Sequence, residues 1–171
     1  QKILEFNQEL VLMQCNTNYT GDYENIRYVA LNVLKEYQEL YPDVVLGLSD
    51  HTPGHVCVLG AVSLGARVIE KHFTDDVTRQ GPDHKFSMTP STWRKMVNDT
   101  RWLERSLGDR VKRVMENEKE TAILQRRSLR LRYAIKRGTK IEADMLIPLR
   151  PCPEDGLPPC DQGRVVGKTT T

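Results

Sequence analysis

The sequence has 171 residues, with 25 Lys and Arg against 23 Asp and Glu and a formal net charge of +2. This length suits one domain, or one domain and part of a second, and the balanced charge gives no support for nucleic-acid binding. No apolar run reaches the roughly 18 residues of a membrane span, and the first ten residues lack the pattern of a secretion signal. We therefore predict a cytosolic protein whose four cysteines are free thiols.

Apolar strand-like runs alternate with amphipathic helical segments in the first two thirds of the chain. Strands are predicted over 11–15, 44–48 and 66–73, and helices over 23–40, 56–64 and 90–107. A β-α-β-α-β-α order predicts an α/β fold with a parallel sheet and right-handed crossovers. Such a sheet belongs either to an open doubly wound fold or to an arc of an eight-stranded barrel. No G-x-G-x-x-G motif follows a strand, which lowers the dinucleotide-binding option.

The pattern changes after residue 108. Residues 109–126 are charged and are predicted to form a linker with a short helix. Alternating residues over 128–135 predict a half-buried strand, 139–141 a second short strand, and 151–159 a proline-rich loop. The sequence thus predicts domain boundaries at 1–108, 109–126 and 127–171, the last being the start of a small β-rich domain.

Each predicted strand of the first part ends in polar residues. In parallel α/β folds, ligands bind outside the carboxyl ends of the strands. The residues at these positions are, in chain order, Asn16, Thr17 and Asn18; Ser49, Asp50, His51 and Thr52; Glu70, Lys71 and His72; Asp83 and His84. We expect the functional site among them.

His51 and His72 occupy equivalent points on neighbouring strands. Adjacent strands lie about 4.8 Å apart, so two imidazoles there can reach one ion such as Mn²⁺, Zn²⁺ or Fe²⁺. The alternative is that each histidine only forms hydrogen bonds at a polar barrel mouth. Glu70 is predicted either to orient a ligand or to form a charge pair with Lys71 or Arg67.

Smaller polar groups follow the same strands. Asn18 and Ser49 can hold phosphate oxygens, although turn-forming and capping roles also explain them. Asp83 either starts a turn or binds a sugar hydroxyl. His84 lies close enough to the site to be a candidate ligand, whereas His55 begins a helix and is expected to be a packing or surface residue.

Several strings resemble the N-acetylneuraminate synthase family, which includes the legionaminic and pseudaminic acid synthases. The most specific are S-D-H-T and E-K-H-F-T, about twenty residues apart and followed by G-P-D-H. The matching segments are 14–19, 47–52, 61–65, 68–74, 81–84, 127–129 and 149–151. The resemblance covers nearly the whole chain from Leu12 onward, and it favours the reading of the two histidines as metal ligands.

The resemblance implies a fold and an assembly. The first part would be the C-terminal portion of a TIM (β/α)₈ barrel, and the second would be the start of a small antifreeze-like (SAF) domain. Three units do not close an eight-stranded barrel, and a barrel alone runs to roughly 250 residues. We therefore expect a parent protein about twice this length, in a domain-swapped homodimer in which each small domain caps the partner's barrel.

The implied reaction joins phosphoenolpyruvate to the aldehyde of an N-acylated amino sugar such as N-acetylmannosamine, giving a nonulosonic acid and phosphate. By resemblance, His51 and His72 would bind a divalent metal, usually Mn²⁺, that polarises the aldehyde oxygen. Glu70 would lie beside the reacting centre as a further catalytic residue.

The resemblance also implies the substrate contacts. Asn18 and Ser49 would contact the phosphate of phosphoenolpyruvate, Asp83 the amino sugar, and Arg150 the N-acyl group across the dimer. One departure concerns the first loop, where Tyr19-Thr-Gly stands in place of the Tyr-Pro-Thr that is frequent in the family. Two alternatives remain: an inactive barrel-derived scaffold with a vestigial metal site, and a different metal-dependent barrel aldolase.

Overall fold

The computed structural model describes residues 2–19 and 21–171 and divides the chain into two compact units, Gln1–Asp109 and Arg110–Thr171. The first unit contains the three strands followed by polar residues, and the second contains a small two-stranded sheet. None of the helices formed by the described residues is both long enough and apolar enough to cross a membrane.

The first unit is built on a three-stranded parallel sheet in the order β1-β2-β3. Its strands are β1 (Val11–Cys15), β2 (Val45–Asp50) and β3 (Val68–Lys71). The helices between and after them are α1 (Val33–Leu40), α2 (Val56–Ser63) and α3 (Pro90–Leu107). The α/β prediction is therefore confirmed, with β2 longer and β3 shorter than the sequence pattern indicated.

One face of the sheet packs against α1 and α2. The core there is formed by Leu46 and Leu48 of β2, Leu34 of α1, and Cys57 and Ala61 of α2, all buried. Because side chains alternate along a strand, the neighbouring positions point to the other face. Three of those are valines that remain 37–44% exposed: Val11, Val45 and Val68.

The helix predicted over 23–40 is interrupted. A 3₁₀-helix covers Tyr23–Tyr28, and α1 begins only at Val33. Two amides from the end of β1 account for the break: Gln14 Nε2 donates to the carbonyl of Val29 at 2.8 Å, and Asn16 Nδ2 to that of Tyr28 at 3.1 Å. A continuous helix would use those carbonyls as its own acceptors, so these contacts outweigh helical propensity.

The third helix, α3, begins and ends where the pattern predicted. Thr89 caps the helix: its hydroxyl oxygen accepts from the backbone N–H of Thr92, and the hydroxyl oxygen of Thr92 accepts from the backbone N–H of Thr89. Pro90 occupies the first helical turn, where its missing N–H costs nothing. Gly108 follows the helix with φ 59°, a conformation that glycine adopts readily.

The second unit contains the helix α4 (Lys119–Gln125) and an antiparallel pair, β4 (Ser128–Leu131) and β5 (Leu146–Leu149). The strand predicted over 128–135 is thus four residues long. The strand predicted over 139–141 is reduced to a bridge between Lys140 and Thr169, flanked by further backbone bonds to residues 167–170. The second unit is therefore held largely by short pairings.

Candidate cation site at the carboxyl ends of the strands

The two histidines extend the parallel register of β2 and β3. Ser49 pairs with Glu70 in that register, and His51 and His72 each follow two residues later. Side chains two residues apart on a strand share a face, so these four lie on the face opposite α1 and α2. The two imidazole centres are 5.1 Å apart, with their planes inclined at 73°.

In both imidazoles Nδ1 is the ring nitrogen that lies near an oxygen atom of the protein. His51 Nδ1–H donates to the carbonyl of Asn16 at 2.8 Å, and His72 Nδ1 lies 3.5 Å from Asp83 Oδ2. A carbonyl can only accept, so Nδ1 of His51 carries the proton and the lone pair of the neutral ring is on Nε2. This arrangement is common among metal-binding histidines.

The spacing of the rings is compatible with one shared ion. A metal lies about 2.1 Å from an imidazole nitrogen, so two rings on one ion have centres no more than about 6.5 Å apart. The observed 5.1 Å meets that condition. Within the described part of the chain, no group of three or more His, Cys, Asp and Glu side chains is arranged to hold a metal. An ion on His51 and His72 would therefore need water or substrate to complete its coordination.

Two aromatic rings enclose the histidine pair. The Tyr19 ring lies 4.1 Å from that of His51, and the buried Phe86 ring lies 5.1 Å from that of His72. Phe86 reaches this place because Met88, two residues later, exchanges backbone bonds with the segment that follows β3. Neither ring was predicted as a site residue, although Tyr19 lies in the loop after β1 that resembles the family.

Glu70 is bonded to its register partner. Ser49 Oγ donates to Glu70 Oε2 at 2.7 Å, and Glu70 is exposed. The alternative that Glu70 pairs with Lys71 is wrong, because the Lys71 side chain points to the opposite face and bonds Asp50. Glu70 is thus an accessible carboxylate next to a hydroxyl on the face that carries the histidines.

Asn18, Ser49 and His51 line one small cavity. Its volume is about 10 Å³, roughly the minimum for a single water. The cavity brings together the two residues predicted to hold a phosphate, but it does not accommodate a phosphate group. Contact with a phosphate would have to occur at the outer surface of these residues or after a rearrangement of the loop.

A buried ion pair, absent from the sequence-based predictions, lies beneath the histidines. Lys71 Nζ is 2.8 Å from Asp50 Oδ2, and the two side chains are 1% and 0% exposed. Strand alternation was the missed signal, because it assigns Asp50 and Lys71 to the face that carries Leu46, Leu48 and Ile69. Charged residues there require a partner.

The remaining histidines form other contacts. His55 Nε2 bonds Asp99 Oδ2 at 2.8 Å, as expected of a packing histidine, and His84 Nδ1 bonds the hydroxyl of Thr74 at 2.8 Å. Arg150 lies in the second unit, exposed directly after β5. The structure therefore brings six predicted residues to the strand ends: Asn18, Ser49, His51, Glu70, His72 and Asp83.

Comparison with known proteins assigns the chain to a family. The sequence model of the NeuB family matches residues 2–112. The chain is 38% identical over 158 residues to the N,N'-diacetyllegionaminic acid synthase of Legionella pneumophila, covering 92% of this chain and 43% of that protein. It is 34% identical over 168 residues to human N-acetylneuraminate-9-phosphate synthase, covering 98% of this chain and 46% of the relative.

A solved structure supports the same relationship. The N-acetylneuraminic acid synthetase of Leptospira borgpetersenii superposes with a TM-score of 0.56 and 31% identity, over 65% of this chain and 38% of that one. The chain spans less than half the length of the curated relatives that it matches. Because the family model matches well over half of the chain, including nearly all of the first unit, the chain belongs to the NeuB family.

Proposed function

We propose that this chain supplies the cation-binding strand ends of a nonulosonic acid synthase. The enzyme would join phosphoenolpyruvate to an open-chain N-acylated amino sugar such as N-acetylmannosamine. The observation that carries the proposal is the His51–His72 pair, whose ring centres are 5.1 Å apart. Nδ1 of His51 is bonded to a carbonyl oxygen, and Nδ1 of His72 lies 3.5 Å from a carboxylate oxygen. The relatives named as synthases support the reaction class.

His51 and His72 would hold a divalent cation, for which we propose Mn²⁺. When bound, the ion supplies Lewis-acid polarisation of the sugar aldehyde oxygen. The contribution of the chain is to fix the ligands: the Asn16 carbonyl sets the tautomer of His51, and Asp83 lies close enough to orient His72. Asp83 is also our candidate for binding the amino sugar, since its side chain is partly exposed beside His72.

Ser49 would contact the phosphate of phosphoenolpyruvate, and Glu70 would lie beside the reacting carbons. The single hydroxyl proton of Ser49 is directed at Glu70, so contact with a phosphate oxygen requires that proton to turn away from the carboxylate. The Glu70 carboxylate has further acceptor sites beside the one that Ser49 uses, so it would accept a bond from a substrate hydroxyl or from water in either case. In the overall reaction, C3 of phosphoenolpyruvate attacks the aldehyde carbon, water adds to C2, and the C–O bond to phosphate breaks.

The wider assembly is part of the same proposal. The first unit would be the last three units of a TIM barrel, and the second the start of an SAF domain. In a domain-swapped dimer, Arg150 would reach the N-acyl group bound to the partner's barrel. Its exposed position after β5 leaves the guanidinium accessible for such a contact.

Phosphate release from phosphoenolpyruvate and N-acetylmannosamine in the full-length protein tests the proposal. We expect release that depends on Mn²⁺, is abolished by chelation, and falls at least a thousandfold in His51→Ala and His72→Ala. His55→Ala is the matched control, because that histidine bonds Asp99 and makes no contact with the pair. Metal-independent release, or full activity of both variants, would contradict the proposal. Aldol chemistry without phosphoenolpyruvate consumption would indicate an aldolase.

A further inference from the structure

We propose that the buried Asp50–Lys71 ion pair is a positioning device that sets the spacing of the His51 and His72 imidazoles. The inference rests on the proposed function in one respect, namely that the two histidines bind a cation together. It assigns a role to two residues that touch neither the cation nor a substrate.

Every bonding group of the pair is satisfied within the protein. The Lys71 ammonium has three protons and three acceptors: Asp50 Oδ2 at 2.8 Å, the Thr52 carbonyl at 2.7 Å and the Asp50 carbonyl at 3.2 Å. Asp50 Oδ1 accepts from the backbone N–H of Thr52 at 2.9 Å and from its hydroxyl at 2.7 Å. A buried network in which all bonds are made is rigid.

The network joins the backbone on both sides of His51 to the residue before His72. Asp50 and Lys71 are register partners on β2 and β3, and each immediately precedes a histidine. Thr52 follows His51, so the residues before and after His51 are both bonded to the residue before His72. A change in the position of Lys71 would therefore move the two imidazoles relative to each other.

Stability alone does not account for charges at this position. The strand residues next to the pair on the same face are apolar, namely Leu48 and Ile69. A buried ion pair can often be replaced by apolar residues of similar volume without loss of stability. Apolar side chains would not supply the three directional bonds that the Lys71 ammonium makes to two backbone carbonyls and to a carboxylate on the neighbouring strand.

The test measures the affinity of the metal-free full-length protein for Mn²⁺ alone, by titration calorimetry, beside its thermal midpoint. The double variant Asp50→Asn/Lys71→Met removes both charges at nearly constant volume, and an asparagine can still accept from Thr52. We expect it to fold and to bind Mn²⁺ about 10- to 100-fold more weakly, the effect typical of residues that orient metal ligands. Leu34→Ala is the control, because it opens the same core away from the strand ends; its midpoint should fall with no change in Mn²⁺ affinity.

Three results discriminate between the possibilities. A double variant that folds and binds Mn²⁺ within threefold of the unaltered protein overturns the positioning role. If that variant does not fold, Lys71→Gln decides, since it keeps two donors and should weaken binding at least threefold; unchanged affinity again overturns the proposal. Loss of the proposed function has a different signature, because His51→Ala would then leave Mn²⁺ binding unaltered whatever the ion pair does.

Discussion

Gly47 lies in the middle of β2, and its replacement by alanine tests how closely the three strands approach. A Cβ atom at this position would lie 2.7 Å from the backbone carbonyl oxygen of Val68 on β3 and 2.9 Å from Cγ of Met13 on β1. Contacts below 3.0 Å are essentially never seen for real Cβ atoms. The oxygen belongs to a backbone that is fixed by strand pairing, so β3 has to move away from β2.

The magnitude follows from two opposing effects. Forcing an extra methyl group into a packed interior costs typically about 1–3 kcal/mol, whereas glycine itself destabilises a strand by roughly 0.5–1 kcal/mol relative to alanine. We expect Gly47→Ala to lower the free energy of unfolding by about 1–2 kcal/mol, because the clash is with backbone. Because His51 and His72 directly follow β2 and β3, a shift between these strands would change the distance between the imidazoles, and the proposed affinity for Mn²⁺ should fall as well.

Urea denaturation followed by tryptophan fluorescence measures the effect. Both tryptophans of the sequence, Trp93 and Trp102, lie on α3, so the signal reports on the first unit. Gly60→Ala is the matched control: its added Cβ meets only the terminal methyl Cδ1 of Leu31, at 2.6 Å, and that side chain can rotate away. It should be neutral or stabilising, given a gain of up to about 1 kcal/mol in helix propensity. Equal stability of Gly47→Ala and the unaltered protein would refute the reasoning.

Three further predictions concern single groups. Gly21→Ala should lower the free energy of unfolding by about 1–3 kcal/mol, because φ is 63° and a Cβ would lie 2.8 Å from Cβ of Phe86. Urea denaturation measures this loss of stability, and an unchanged free energy of unfolding would contradict the close approach. Burial raises the pKa of the Cys57 thiol, so iodoacetamide should react with this thiol far more slowly in the folded protein than in the urea-unfolded protein. The contribution of the buried thiol to stability should decline above about pH 8.5, where the thiol of the unfolded chain begins to ionise. Hydrogen bonds from Lys95 and from His55 lower the pKa of Asp99. Asp99→Asn should therefore lower the thermal midpoint at neutral pH, and this difference should disappear as the pH falls through the lowered pKa.

The sequence pattern predicted correctly the elements whose limits depend on interactions between residues close together in the chain. The limits of α3 follow from a capping threonine, a proline in the first turn and a glycine after the end, all within the helix and its flanks. The prediction of one helix over 23–40 was wrong for the opposite reason. The side-chain amides of Gln14 and Asn16 bond the carbonyls of Val29 and Tyr28, more than ten residues later in the chain. Such contacts depend on the sheet having formed, and no local pattern contains them.

The candidate site shows the same division. Strand-end position and residue type were enough to select His51 and His72 and to expect them near each other. The oxygen partner of His51 could not be predicted, because the Asn16 carbonyl is a backbone group and every residue has one. Asp83, the carboxylate near His72, was among the predicted site residues. Phe86 was missed because the segment that carries it returns to the site only through pairing with the residues after β3.

Strand alternation explains why the candidate cation site and the ion pair occur side by side. Along β2, Leu46, Leu48 and Asp50 face the helices, whereas Ser49 and His51 face the other side. At the ends of the strands the helix-covered face changes from apolar to charged, and the opposite face carries the two imidazoles at the next position. A deletion of one residue within β2 would exchange the faces, directing an imidazole into the core and the Asp50 carboxylate towards His72. Asp50 and Lys71 thus border the backbone that carries the imidazoles, which is the placement that the proposed positioning role requires.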